Sequence, residues 1–118
     1  MSKLDAPPER FTNGWLNQLD ARTTIAQTMR ERYRAFTDDL GGNDRLSYAQ
    51  RSLVERGLWL EYWLASQEQA LAAGNDFDVG KWTQAANSLQ GIYAKLGLQR
   101  QAKDVPNLAD YLKSKATA

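Results

Sequence analysis

The chain has no cysteine and no histidine among its 118 residues. Disulfides, thiolate nucleophiles, imidazole bases and the usual zinc sites are therefore excluded. Only three prolines are present, two of them adjacent at Pro7-Pro8. No apolar run approaches the roughly 20 residues that cross a bilayer. The opening Met1-Ser2-Lys3-Leu4-Asp5-Ala6-Pro7-Pro8-Glu9-Arg10 has no apolar signal region, so a cytoplasmic protein is expected. Net charge is close to nil, at +1. What remains is an ordinary globular balance, 42% hydrophobic and 25% charged, in a length that suits one domain.

The loudest feature is Gly57-Leu58-Trp59-Leu60-Glu61-Tyr62-Trp63-Leu64-Ala65, whose one charged side chain is Glu61. A helix this apolar needs covering on several sides, by its own chain or by other copies. Charge is also unevenly placed. No acid falls between Asp78 and Asp104, whereas Lys81, Lys95, Arg100 and Lys103 do.

Periodicity predicts helices throughout, and no segment alternates like a strand. Residues 1–10 read as a flexible arm. Phe11 to Leu19 reads as a short helix or apolar clip. A first main helix is expected from Ala21 to Leu40, with Asp20 as its cap and Ile25, Met29, Phe36 and Leu40 as its stripe; Gly41-Gly42 ends it. Ser47-Tyr48-Ala49-Gln50 matches a capping box and opens a second helix ending at Gly74. At about 100° per residue, Leu53, Gly57, Leu60, Leu64 and Leu71 share one face of it, while Trp59 and Trp63 point elsewhere and Tyr62 to a further side. A third helix runs from Asp78 or Val79 to Gly97. Gly57 and Gly91, costly inside helices, suggest close helix approach. A short C-terminal helix, Leu108 to Lys113, and a flexible tail, 114–118, complete the chain. The expected fold is all-α: a bundle of three main helices in a single domain, 11–113, with a short helical segment at each end.

Chemistry is sparse. Asp38-Asp39, Asp44, and Asp76 with Asp78 sit where aspartate caps helices and forms turns, so no metal and no cofactor is expected. Glu61 reads as a rim residue or one half of an ion pair, and Arg51 with Glu55 as a surface pair. No phosphate loop or serine elbow occurs, so no catalytic residues are assigned and the protein reads as a non-enzyme. The second helix is too long and apolar for the recognition helix of a helix-turn-helix. Lys81, Lys95, Arg100 and Lys103 form the best phosphate-contacting set.

The order of motifs resembles that of small proteins encoded beside the packaging genes of phages and prophages. The likeness rests on Leu19-Asp20-Ala21-Arg22-Thr23-Thr24, Thr37-Asp38-Asp39-Leu40-Gly41-Gly42, Leu46 through Arg56, Leu96 through Val105, and Leu108-Ala109-Asp110-Tyr111-Leu112. The Leu96-Gly97-Leu98 motif ending a helix is similar to the C-terminal part of some terminase small subunits. The resemblance implies a homo-oligomeric DNA-packaging adaptor in the bacterial host, with duplex DNA and the large terminase subunit as partners. DNA contacts are then expected at Lys81, Lys95, Arg100 and Lys103. Trp59, Tyr62 and Trp63 are expected at an oligomer or partner interface, the alternative being that the tryptophans close the core against Phe11–Leu19. The chain lacks the clear N-terminal helix-turn-helix of better-known members. A phage-encoded protein-binding module, an inhibitor of host defence or a regulator, is the alternative function.

Overall fold

The computed structural model describes residues 3–99. The expected C-terminal helix and tail, with Arg100 and Lys103, lie outside them. Four α-helices follow in chain order: α1 (Trp15–Gln18), α2 (Thr24–Asp39), α3 (Tyr48–Ala72) and α4 (Val79–Leu96). A single 3-10 turn, Asn43–Arg45, sits between α2 and α3. The architecture is the all-α bundle of three main helices that the periodicity predicts.

Local chemistry sets each helix boundary. Thr23, not Asp20, caps α2, its hydroxyl accepting from Ala26 N at 3.2 Å. Asp20 is engaged elsewhere: its carboxylate binds the Arg22 guanidinium at 2.8 and 3.1 Å, and its carbonyl accepts Thr23 N and Oγ1. The helix therefore starts later than the expected Ala21. At its far end Gly42 N returns to Thr37 O at 2.8 Å, closing the last turn. The capping box of α3 is formed as expected, with Gln50 N donating to Ser47 Oγ and Ser47 N to Gln50 Oε1. Asp78 caps α4 by accepting from Lys81 N at 3.0 Å.

The helix α3 is the spine. It is 25 residues long, roughly 37 Å, and carries two apolar clusters in sequence. The first joins α1, α2 and the N-terminal half of α3 through Trp15, Leu19, Ala26, Met29, Val54 and Leu58. The second lies between α3 and α4, around Leu60, Leu64, Leu89 and Ile92. Gly57 marks the crossing. A methyl built there would lie 3.6 Å from Phe36 of α2, and 3.6 and 3.7 Å from Ile92 and Leu89 of α4. The close approach expected at Gly57 is thus real, yet those are ordinary contact distances. Gly91 differs: it is exposed, and among the described residues nothing lies near its Cβ position, so no tight packing is seen there. The leucine seam also stops short, because Leu71 is 55% exposed beyond the end of the second cluster.

The N-terminal segment does not hang free. Leu4 N donates to Gln18 O at 2.8 Å and Leu4 O accepts from Asp20 N at 2.7 Å. Pro7 is buried, and Pro8 O accepts the Trp59 indole N–H at 2.7 Å. The arm expected to be flexible lies against the body because its backbone groups find partners there.

A four-residue helix such as α1 has no stability of its own. Glu55 of α3 supplies it: Oε2 accepts from Gly14 N at 3.2 Å and Oε1 from Leu16 N at 3.1 Å. The Glu55 carbonyl takes the fully buried Trp15 indole N–H at 3.2 Å. The expected surface pair with Arg51 is therefore replaced by a carboxylate that closes the start of another helix.

Two stability outcomes follow from this packing. Glu55→Ala should lower urea-unfolding stability by about 2 kcal/mol, because two amide donors lose a charged acceptor, while Arg51→Ala should change it by less than about 0.5 kcal/mol. Equal effects would return Glu55 to the surface pair. Gly57→Ala should be tolerated and raise stability by about 0.5–1 kcal/mol, since helix propensity improves and the methyl meets atoms at contact distance. A thermal midpoint lowered by Gly57→Ala would show that the crossing has no room for it.

Candidate interaction surface

One flank of the α3/α4 pair gathers most of the singled-out residues within the described range. Trp59 and Trp63 lie one turn apart on α3. Lys81 and Lys95 lie fourteen residues apart on α4, within about 40° of one another around the helix. Two shallow hollows follow one another along this side. The first, about 380 Å³, is lined by Arg56, Trp59 and Leu60 of α3 and by Ser88, Gly91 and Lys95 of α4. The second, about 730 Å³, is bounded by Trp63, Gln67, Phe77 and Lys81, with Asp76 and Asp78 at its end. Trp59, Trp63, Lys81 and Lys95 thus share a face that sequence spacing on separate helices does not reveal.

The members of this face are held differently. Trp59 is partly an internal residue. Its indole N–H is bonded to Pro8, its ring meets Phe11 edge-on at 6.3 Å, and Arg56 sits 4.1 Å over that Phe11 ring. The core reading holds for Trp59 in part: one edge closes the core against Pro8 and Phe11, and the residue also lines the first hollow. Trp63 packs on the second cluster and is half-buried. Tyr62 is half-buried and packs against the first cluster, and it does not line either hollow. Lys81 and Lys95 are exposed at opposite ends of α4, roughly 21 Å apart, so their charges do not form one cluster. Arg56 is the residue that sequence reasoning passed over. Its spacing of three before Trp59 places it on this flank.

Near the hairpin end the fold is thin. Trp63 of α3 and Trp82, Ala85 and Ala86 of α4 pack against the second cluster, and no residue of α2 enters it. Leu71 and Val79 are 55% and 63% exposed there. The Trp82 indole N–H is buried without a hydrogen-bond partner. Its nearest ring neighbour is Phe77, at 6.4 Å between centroids.

Glu61 proves to be an internal partner. It accepts the Tyr93 hydroxyl hydrogen across the α3/α4 interface, and Phe36 of α2 packs on the Tyr93 ring at 5.8 Å. Burial, then the hydrogen bond to Glu61 and its charge, push the Tyr93 phenol above its usual range. A phenol held protonated in this way is a structural donor, not a base. Among the described residues no three or more acidic groups cluster to hold a metal ion, and no described helix is long and apolar enough to cross a membrane.

Comparison with known proteins leaves this geometry to stand alone: no family model, curated protein or solved structure matches the chain.

The Tyr93 bond gives the fold an alkaline limit. The folded phenol binds its proton more tightly than the unfolded one, so its contribution is complete below about pH 10 and declines as pH rises beyond it. Tyr93→Phe should flatten the fall in unfolding free energy above about pH 10 and remove one late step from the ultraviolet titration of tyrosines. An unchanged titration curve in that variant would mean Tyr93 is not the residue held protonated.

Proposed function

We propose that this protein is a phage DNA-packaging adaptor of the terminase-small-subunit kind. It assembles with copies of itself, contacts duplex DNA, and delivers that DNA to the large terminase subunit in the host cytoplasm. The motif order from residue 19 to residue 112 supports the class. The observation that carries the assembly half is the thin end of the α3/α4 hairpin. There, among the described residues, α3 and α4 alone enclose an aromatic-rich cluster, while Leu71 and Val79 are exposed beyond it. A third or fourth helix from another copy completes such a layer into the bundle that antiparallel helices favour. The exposed and unobstructed Gly91 also leaves a notch where a neighbouring helix can approach.

DNA contact draws on Lys81, Lys95 and Arg56, which meet phosphates as point charges and forks and read no base sequence. That fits a chain without a recognition helix. It is a binding and assembly role, and the side chains take part in no covalent chemistry.

Light scattering on the size-exclusion peak tests the assembly. The wild-type chain should run as an oligomer and Leu71→Glu/Val79→Glu as a monomer of unchanged helicity, since both positions are exposed. A wild-type monomer at high concentration would remove the assembly half. Lys81→Gln/Lys95→Gln should weaken a salt-dependent shift of duplex DNA. A monomer that shifts no duplex even at low salt would favour the alternative, in which the tryptophan flank docks another protein.

A further inference from the structure

A further hollow of the described fold lies away from that flank. It opens where α1, the C-terminal half of α2, the Asn43–Arg45 turn and the start of α3 meet, and encloses about 1080 Å³. Four guanidinium groups line it: Arg30 and Arg34 from α2, Arg45 from the turn, and Arg51 from α3. The acids on its wall are Asp38, Asp44 and Glu55. Glu55 faces inward to α1, with both oxygens engaged by Gly14 N and Leu16 N. Arg30 gives one donor to Leu19 O at 3.3 Å. Arg34 and Arg51 form no ion pair with any described residue, and both are exposed.

Two features make this more than a solvated face. Arg30 and Arg34, four residues apart, repel one another on the helix surface, a cost that an anion between them relieves. The rim is also organised. Asn13 Nδ2 donates to the Tyr48 hydroxyl at 2.5 Å, and Ser52 Oγ donates to Asn13 Oδ1 at 3.2 Å. Tyr48 is thereby held by its hydroxyl end while its ring remains 69% exposed, one turn before Arg51. Planar guanidinium forks match phosphate oxygens, and an exposed ring beside them matches the face of a base. A recess walled on three sides admits a flexible strand, whereas a stiff duplex reaches only its rim.

We propose that this hollow binds a single strand of nucleic acid, with Arg34 and Arg51 on its phosphates and one base stacked on Tyr48. The proposal uses residues separate from the α3/α4 flank and does not depend on the packaging role. The probe is a fluorescent oligothymidylate of about ten nucleotides, followed by anisotropy at low salt. Arg34→Gln/Arg51→Gln should weaken binding about tenfold or more and reduce the slope of log affinity against log salt by about 1.4. Tyr48→Ala should also lose about tenfold, Tyr48→Phe, which keeps the ring but not its hydroxyl anchor, should lose less than Tyr48→Ala, and Lys81→Gln/Lys95→Gln should leave strand binding unchanged. Circular dichroism confirms each fold, and Arg51→Gln alone serves if the double variant does not fold. Absence of strand binding by the wild type, unaltered affinity in folded arginine variants, or equal competition by duplex or inorganic phosphate would overturn the proposal. A strand affinity lost only with Lys81 and Lys95 would overturn it too, while leaving the packaging role standing.

Discussion

The Glu55 side chain is the point on which the N-terminal half of the fold depends. One residue of α3 receives three hydrogen bonds from α1 and its entry: two amides on the carboxylate and the Trp15 indole on the carbonyl. Without them a single-turn helix has no reason to exist, and the fully buried Trp15 and Leu19 lose the frame that presents them to Met29, Val54 and Leu58. The same negative charge reaches Tyr33, whose phenol is raised first by burial and then by Glu55. A polar contact thus determines how an apolar cluster is assembled, because a buried amide tolerates no empty acceptor.

From that anchor the rest is arranged along α3. Its N-terminal half is enclosed by α1 and α2, and its C-terminal half meets only α4 among the described elements. Gly57 is where the three long helices pass one another. Among the described residues three helices enclose one end of the body and two helices form the other. The two candidate surfaces sit accordingly. The arginine-lined recess belongs to the thick end, where three elements make a concave wall. The tryptophan flank belongs to the α3/α4 pair, where side chains line shallow hollows.

Much of this was legible in particular residues. Ser47 with Gln50, Asp78, and the glycine pair at 41–42 mark helix ends through local bonds, and each does so in the structure. The misreadings share a cause. Asp20 looks like a cap but is taken by Arg22; Glu55 looks like a partner for Arg51 but is taken by α1. Leu71 continues the spacing of a seam whose packing ends earlier. In each case a residue has more than one chemically adequate partner, and distance along the chain does not choose between them.

The sequence by itself determined the class of fold, the ends of most described helices and the lack of any thiol or imidazole. Those follow from the 3.6-residue period, from capping within three residues, and from which side chains exist at all. Only the tertiary structure decided that the N-terminal segment docks, that Trp59 both closes the core and lines a surface hollow, and that arginines from two helices and a turn line one recess. Such relations join residues tens of positions apart. They depend on which helix faces meet, and competing burial and hydrogen-bonding demands settle that only when all the elements pack together.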